Sequence, residues 1–180
     1  MNQNKINILI GTLLVIFAAG LKVLTFPQSF NPIIAISLFS GVVISDKKMA
    51  FAMPLLAMFA SDLLLEIFNI APGFYGLAQI GNYVALLFVT ILGFSMKKIN
   101  TINVVGYSIL SSLLFFLLSN TNCFLFDTIT YEKSIGGWAT CLAAGIPFVK
   151  NGLLADLCFS AILFSSYSVG MKFVSKKAMA

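Results

Sequence analysis

The sequence predicts an all-α membrane protein: one domain over residues 1–180, folded as a six-transmembrane-helix bundle with both termini in the cytoplasm. Three observations carry that prediction. Hydrophobic residues make up 59% of the 180 and charged residues only 9%, with a mean hydropathy of +1.00. A soluble domain carries about 25% charged residues, so this chain has too little charge to wet a globular surface. The apolar residues gather into runs, most of them near the ~20 residues that cross ~30 Å of hydrocarbon. The lysines, 11 against 6 acids with no arginine, stand mostly between those runs. Together these features exclude a soluble enzyme, a nucleic-acid binder and a disordered chain.

The runs follow in order. The first covers about 6–25; its apolar stretch continues past Gly20, so it reads as a retained helix and not as a cleaved leader. The second, about 31–44, follows Pro27 and Pro32 and holds roughly 14 residues, ~21 Å of helix. It is short enough to start below the membrane surface or to be broken at Pro32. Asp46-Lys47-Lys48 ends it. The third covers about 50–68, with Pro54 in its first turn. A Pro72-Gly73 turn leads to the fourth, about 75–96, closed by Lys97 and Lys98. The fifth covers about 101–120. A mixed segment, 121–151, polar at first and then rich in Gly and Ala, reads as an extracytoplasmic lid. The last run is about 152–173.

Orientation follows from the lysines. With the N-terminus inside, Lys5, Lys47, Lys48, Lys97, Lys98, Lys172, Lys176 and Lys177 are cytoplasmic, and Lys22, Lys133 and Lys150 are outside. Eight against three is a positive-inside bias, and an even number of spans puts the lysines of both ends on the same side.

Polar groups within hydrocarbon are expensive and become functional candidates by default. In this topology Asn31, Asp62, Glu66, Gln79, Asn82, Tyr83, Asn120 and Asp156 all fall in the outer half of the bundle. The inner half holds hydroxyls but no acid or amide. The pattern predicts a cup open to the outside over a dry floor, with Trp138, Tyr131 and Phe148 of the lid available for stacking on a planar ligand. The expected substrate-binding residues are Asn31, Asp62, Asn82, Tyr83, Asn120, Trp138 and Asp156. Bland readings stand beside these: Asn31 and Asn151 as helix caps, Asp62 as a structural partner of another helix, Glu66 as solvated, Trp138 as an interfacial anchor. Cys123, Cys141 and Cys158 read as small buried apolar residues; a Cys123–Cys141 disulfide is the alternative. With no His, no Gly-x-Ser-x-Gly and no metal-ligand spacing, no enzyme, metal or cofactor is expected.

Four stretches resemble a known family. Residues 29–41 (SFNPIIAISLFSG) are similar to an "NFxPxxAxALFGG" block and residues 54–65 (PLLAMFASDLLL) to "PLxAMxxSDLxLG", with Glu66 where Gly is common. Residues 115–120 (FFLLSN) resemble "FFLxTN". Ala144-Gly145-Ile146-Pro147-Phe148 with Asn151 and Asp156 resembles "AAIPFxxNxxxGD". These blocks match an uncharacterised family of bacterial integral membrane proteins, itself similar to the S components of energy-coupling factor (ECF) vitamin transporters. The resemblance implies a multi-pass protein of the bacterial cytoplasmic (inner) membrane that captures a small vitamin-like molecule. It further implies an ECF coupling protein and ATPases as partners, the chain itself having no Walker motif. The first run has Ala18 and Ala19 but lacks the Ala-x-x-x-Ala pattern through which S components dock on their coupling protein. Two other function classes stand as alternatives: an ion-coupled secondary transporter using Asp62, Glu66 and Asp156, and a structural subunit of a larger membrane complex.

Overall fold

The computed structural model describes residues 13, 16–26, 30–127 and 129–178, with side chains up to Met171. All regular structure among them is helical. Within the first apolar run residues 16–24 form α1; Leu13 is helical too, Thr25 lies in the turn that follows, and the rest of that run lies outside the described residues. Then come α2 (Ile33–Val43), α3 (Lys47–Ile67), α4 (Leu77–Phe94), α5 (Thr101–Phe126) and α6 (Ile135–Ala178). Four of these, α3 to α6, are long and apolar enough to cross a membrane.

Local chemistry sets the ends. Asp46 opens α3, its carboxylate accepting from Lys48 N at 2.8 Å and Met49 N at 3.3 Å. Asp46-Lys47-Lys48 therefore starts the third helix and does not close the second, and Pro54 lies inside α3, beyond its first turn. Loss of an Asp N-cap removes a partner from an otherwise orphaned backbone N–H. Asp46→Ala is expected to lower stability by about 1 kcal/mol, read as a small drop in melting temperature in detergent. At the other end of α3, Asn69 takes a left-handed φ of 52°. Ile70 N bonds to Leu65 O at 3.0 Å and Asn69 N to Glu66 O at 3.1 Å, the two bonds of a Schellman stop. Asn100 caps α5 by accepting from Asn103 N at 2.8 Å.

The second helix is short, as expected, and its position explains how that is tolerated. Eleven residues give only ~16 Å, but eight of them are buried and α2 packs against α3, α4, α5 and α6. A helix enclosed by protein need not match the thickness of the bilayer. Pro32 stands immediately before it, where a missing N–H removes nothing.

The expected lid is redrawn. α5 runs on to Phe126, and α6 is one helix of 44 residues that contains both the Gly/Ala-rich stretch and Pro147. Only residues 127–134 remain as a connection. Ser134 starts α6, its Oγ accepting from Gly137 N at 3.1 Å, and Asp127 holds the turn by accepting from Thr130 N at 2.6 Å and Ile129 N at 2.8 Å. Those backbone donors hold the Asp127 carboxyl below its ordinary range. The small residues that looked like a loop permit close contact with α5: a Cβ on Gly145 would meet Asn120 Oδ1 at 2.4 Å and Phe116 at 2.8 Å. Asn151 accordingly lies within α6 and does not begin it.

Two larger apolar clusters, with a small third one of Ala35, Ala155 and Phe159, build the interior. Ala18, Ile33, Ile36, Ala57, Met58 and Leu86 form one. Leu38, Phe39, Val89, Met96, Val104 and Phe164 form the other, toward the end where α4 stops and α5 starts. Buried hydroxyls in this region bond to their own helices: Ser37 to Ile33 O, Thr90 to Leu86 O and Ser108 to Val104 O, at 2.7–3.1 Å. Large apolar side chains such as Leu63, Phe88, Ile91, Ile102, Leu113 and Ile162 face outward. An outer surface of that kind belongs in lipid.

Candidate functional site

A cavity of about 330 Å³ lies at the opposite end of the bundle, where α1 ends and α2 and α4 begin. That volume is at the lower end of the range of small-molecule sites. Ile33, Met58 and Leu86 of the first cluster form part of its wall. Phe115 and Phe116 of α5 and Phe148 of α6 supply aromatic surface. The polar groups are Lys22, Asn31, Asn82, Ser112, Ser119, Asn120 and Asp156, drawn from α1, the approach to α2, α4, α5 and α6. A second hollow of about 370 Å³, between the start of α5 and the later part of α6, has aliphatic and hydroxyl walls. Its amide, Asn100, is already engaged in capping α5.

Asp62 sits beside the cavity and not on its wall. It is 2% exposed, and three donors satisfy its carboxylate: Lys22 Nζ at 2.5 Å on Oδ1, with Gln79 Nε2 at 2.8 Å and Tyr83 Oη at 2.9 Å on Oδ2. Gln79 Nε2 also reaches Gly73 O at 3.0 Å, and a Cβ on Gly73 would meet Asp62 O at 1.9 Å. The Pro72-Gly73 turn is thus pressed onto α3 by a network centred on Asp62. Glu66 is exposed, as expected of a solvated group, and its carboxylate also accepts from Gly73 N at 2.7 Å, pinning the same turn.

Lys22 is the residue whose role sequence reasoning missed. Counted as an outer topological charge, it lies in α1 with its side chain 16% exposed, bonded to Asp62 and touching Met58 Sδ at 3.3 Å. The sequence does carry a signal for it: an ammonium within an apolar run needs a counter-charge, and such groups mark sites.

Asp156, 2% exposed, does reach the cavity wall. Ser112 Oγ lies 2.5 Å from its Oδ2 and 3.0 Å from Ser108 O, so one hydroxyl proton faces two acceptors. Asn82 donates from Nδ2 to Tyr75 Oη at 2.7 Å, while its Oδ1 is buried with no partner among the described residues. Asn120 donates to Phe116 O at 2.8 Å and turns Oδ1 toward Gly145. Asn31 has both expected roles: it lines the cavity and accepts from Ile33 N at 3.3 Å.

Of the predicted residues, then, Asn31, Asn82, Asn120 and Asp156 share one hollow, whereas Asp62 and Tyr83 stand behind it. Trp138 is off the wall; its indole N–H donates to Thr121 Oγ1 at 3.0 Å, joining α6 to α5. Phe148 is the lid aromatic that reaches the cavity. The cysteines are free thiols, and Cys123 and Cys158 are exposed, contrary to the expectation of three buried ones.

Comparison with known proteins places the chain. A family model described as a family of unknown function, DUF6580, matches residues 2–177. The chain belongs to that family. No curated protein and no solved structure matches it. The DUF6580 match runs from before α1 into the last turn of α6, so the cavity is built wholly from the family's own segment.

Proposed function

We propose that this DUF6580 chain is a substrate-capture or transport protein that binds a small, ring-containing, vitamin-like molecule in the cavity, which opens to the outside of the bacterial cytoplasmic membrane. One observation carries the reading. Helices distant in sequence bring Asn31, Asn82, Asn120 and Asp156 together with Phe115, Phe116 and Phe148 around one hollow. An apolar wall with a few convergent polar groups is the usual form of a small-molecule site. The apolar packing between this hollow and the other end of the bundle supports capture over free passage, since a transport path needs polar groups at several depths.

The test is a native-mass and thermal-shift screen of detergent-purified protein against vitamins and nucleobase derivatives. A hit is expected to weaken about tenfold or more in Asn120→Ala and Asn82→Ala. Access is tested separately, in a background with Cys123, Cys141 and Cys158 replaced by Ser: Asn120→Cys in whole cells is expected to react with a membrane-impermeant maleimide, and the background alone is not. Absence of both a hit and labelling would refute the reading.

The finer assignment, an ECF S component, rests on the motif resemblance. It predicts co-purification with a coupling protein and two ATPases from the native membrane. The lack of Ala-x-x-x-Ala at Ala18-Ala19 favours a contact different from the standard one.

A further inference from the structure

The geometry points to a cationic ligand: a small molecule whose ammonium or amidinium group sits at Asp156 and whose apolar body lies against Phe115, Phe116 and Phe148. This inference rests on the capture reading and adds the charge of the substrate.

Charge balance within the site is the first argument. Among the described residues two ionisable side chains, Lys22 and Asp156, line the cavity. The charge of Lys22 is matched by Asp62 at 2.5 Å, the one salt bridge among the described residues. That pair is neutral as a unit. Asp156 has no salt-bridge partner among the described residues; its side-chain bonding there is to the Ser112 hydroxyl, which is shared with Ser108 O. A buried carboxylate needs a counter-charge or several donors to be stable, and the cavity is the open side from which one can come.

The neighbouring groups continue the pattern. Among the described residues Asn82 Oδ1 is a buried acceptor without a donor, while one N–H of its Nδ2 goes to Tyr75 Oη. Asn120, also on the wall, gives one N–H of Nδ2 to Phe116 O and holds Oδ1 against Gly145, which fixes its amide in place. The wall thus presents one carboxylate and one unpartnered amide oxygen, a set that matches a group carrying several N–H donors and a positive charge. The rings add surface that attracts a cation to its face. The ammonium of Lys22, held by Asp62, also lines the cavity and provides a place for an acceptor on the molecule.

The experiment uses three probes of one shape: benzamidinium (cation), benzamide (neutral) and benzoate (anion). Binding to purified full-length protein is read by native mass spectrometry and by thermal shift. Benzamidinium is expected to bind at least about tenfold more tightly than benzamide, with benzoate weakest. In Asp156→Asn that preference is expected to fall to near unity. The wild-type ranking by itself decides the matter if the variant does not fold. Equal or stronger binding of benzamide or benzoate overturns the charge assignment and leaves the capture reading standing. No binding by any of the three overturns the charge assignment as well, and the vitamin screen with maleimide labelling of Asn120→Cys then decides the capture reading independently. A cation preference that survives in Asp156→Asn places the cation elsewhere and also overturns the assignment.

Discussion

Asp62→Leu or Lys22→Met alone is expected to destabilise the protein by about 3–5 kcal/mol, because each leaves a buried charge without its partner. Asp62→Leu would also release Gln79 and Tyr83, and with them the turn at Gly73. The double variant Lys22→Met/Asp62→Leu removes both charges and is expected to recover much of the loss, since a buried ion pair replaced by apolar residues is often near neutral. Melting in detergent for the four proteins gives the coupling directly. Its sign separates two roles. A structural pair gives low stability in the singles and recovery in the double. A carboxylate that binds ligand gives near-native melting with binding lost, and that outcome would contradict the network described for Asp62.

Helix α2 and helix α4 cross with almost no space between them, and Gly41→Val is expected to be the most damaging apolar substitution in the bundle. A Cβ at Gly41 would meet Thr90 O at 2.2 Å and Gly93 Cα at 3.1 Å; one at Gly93 would meet Leu38 O at 2.7 Å. These are backbone atoms, so the helices must separate. Overpacking a tight contact costs about 1–3 kcal/mol, and α2 touches four other helices, so Gly41→Ala is expected at the upper end and Gly41→Val beyond it. Gly106 and Gly170 are controls, with nothing near an added Cβ. Gly106→Ala should raise stability by up to about 1 kcal/mol through helix propensity alone. If Gly41→Ala melts like Gly106→Ala, the close crossing is not present.

The membrane character of the chain and the order of its helices were legible because hydropathy and charge are summed properties. They survive any local error of boundary. Helix ends were less legible where two readings used the same residues. Asp46-Lys47-Lys48 reads equally as the end of one run or the start of the next, and the two backbone N–H groups bonded to Asp46 decided it. Gly136, Gly137 and Gly145 with Pro147 suggested a loop, because propensity treats Gly and Pro as breakers. Packing reversed that at Gly145, whose missing side chain lets α6 lie against Phe116 and Asn120 of α5.

The candidate site was half legible. Depth along a helix is arithmetic, so Asn31, Asn82, Asn120 and Asp156 could be assigned to one end of the bundle from their positions alone. Which carboxylate faces the cavity is a matter of rotation and of partners, and one sequence does not contain it. Asp62 and Asp156 look alike on paper. In the fold one is closed off by Lys22, Gln79 and Tyr83, and the other has, among the described residues, a single hydroxyl.

What the chain determined unaided was its solvent: too few charges for water, enough apolar length for lipid, and lysines gathered at the ends of the runs. Tertiary structure alone decided which polar groups are spent on one another and which remain available. The reason is physical. Hydrophobicity adds residue by residue, whereas the satisfaction of a buried charge depends on a donor that arrives from a different helix, as Lys22 reaches Asp62 from 40 residues away.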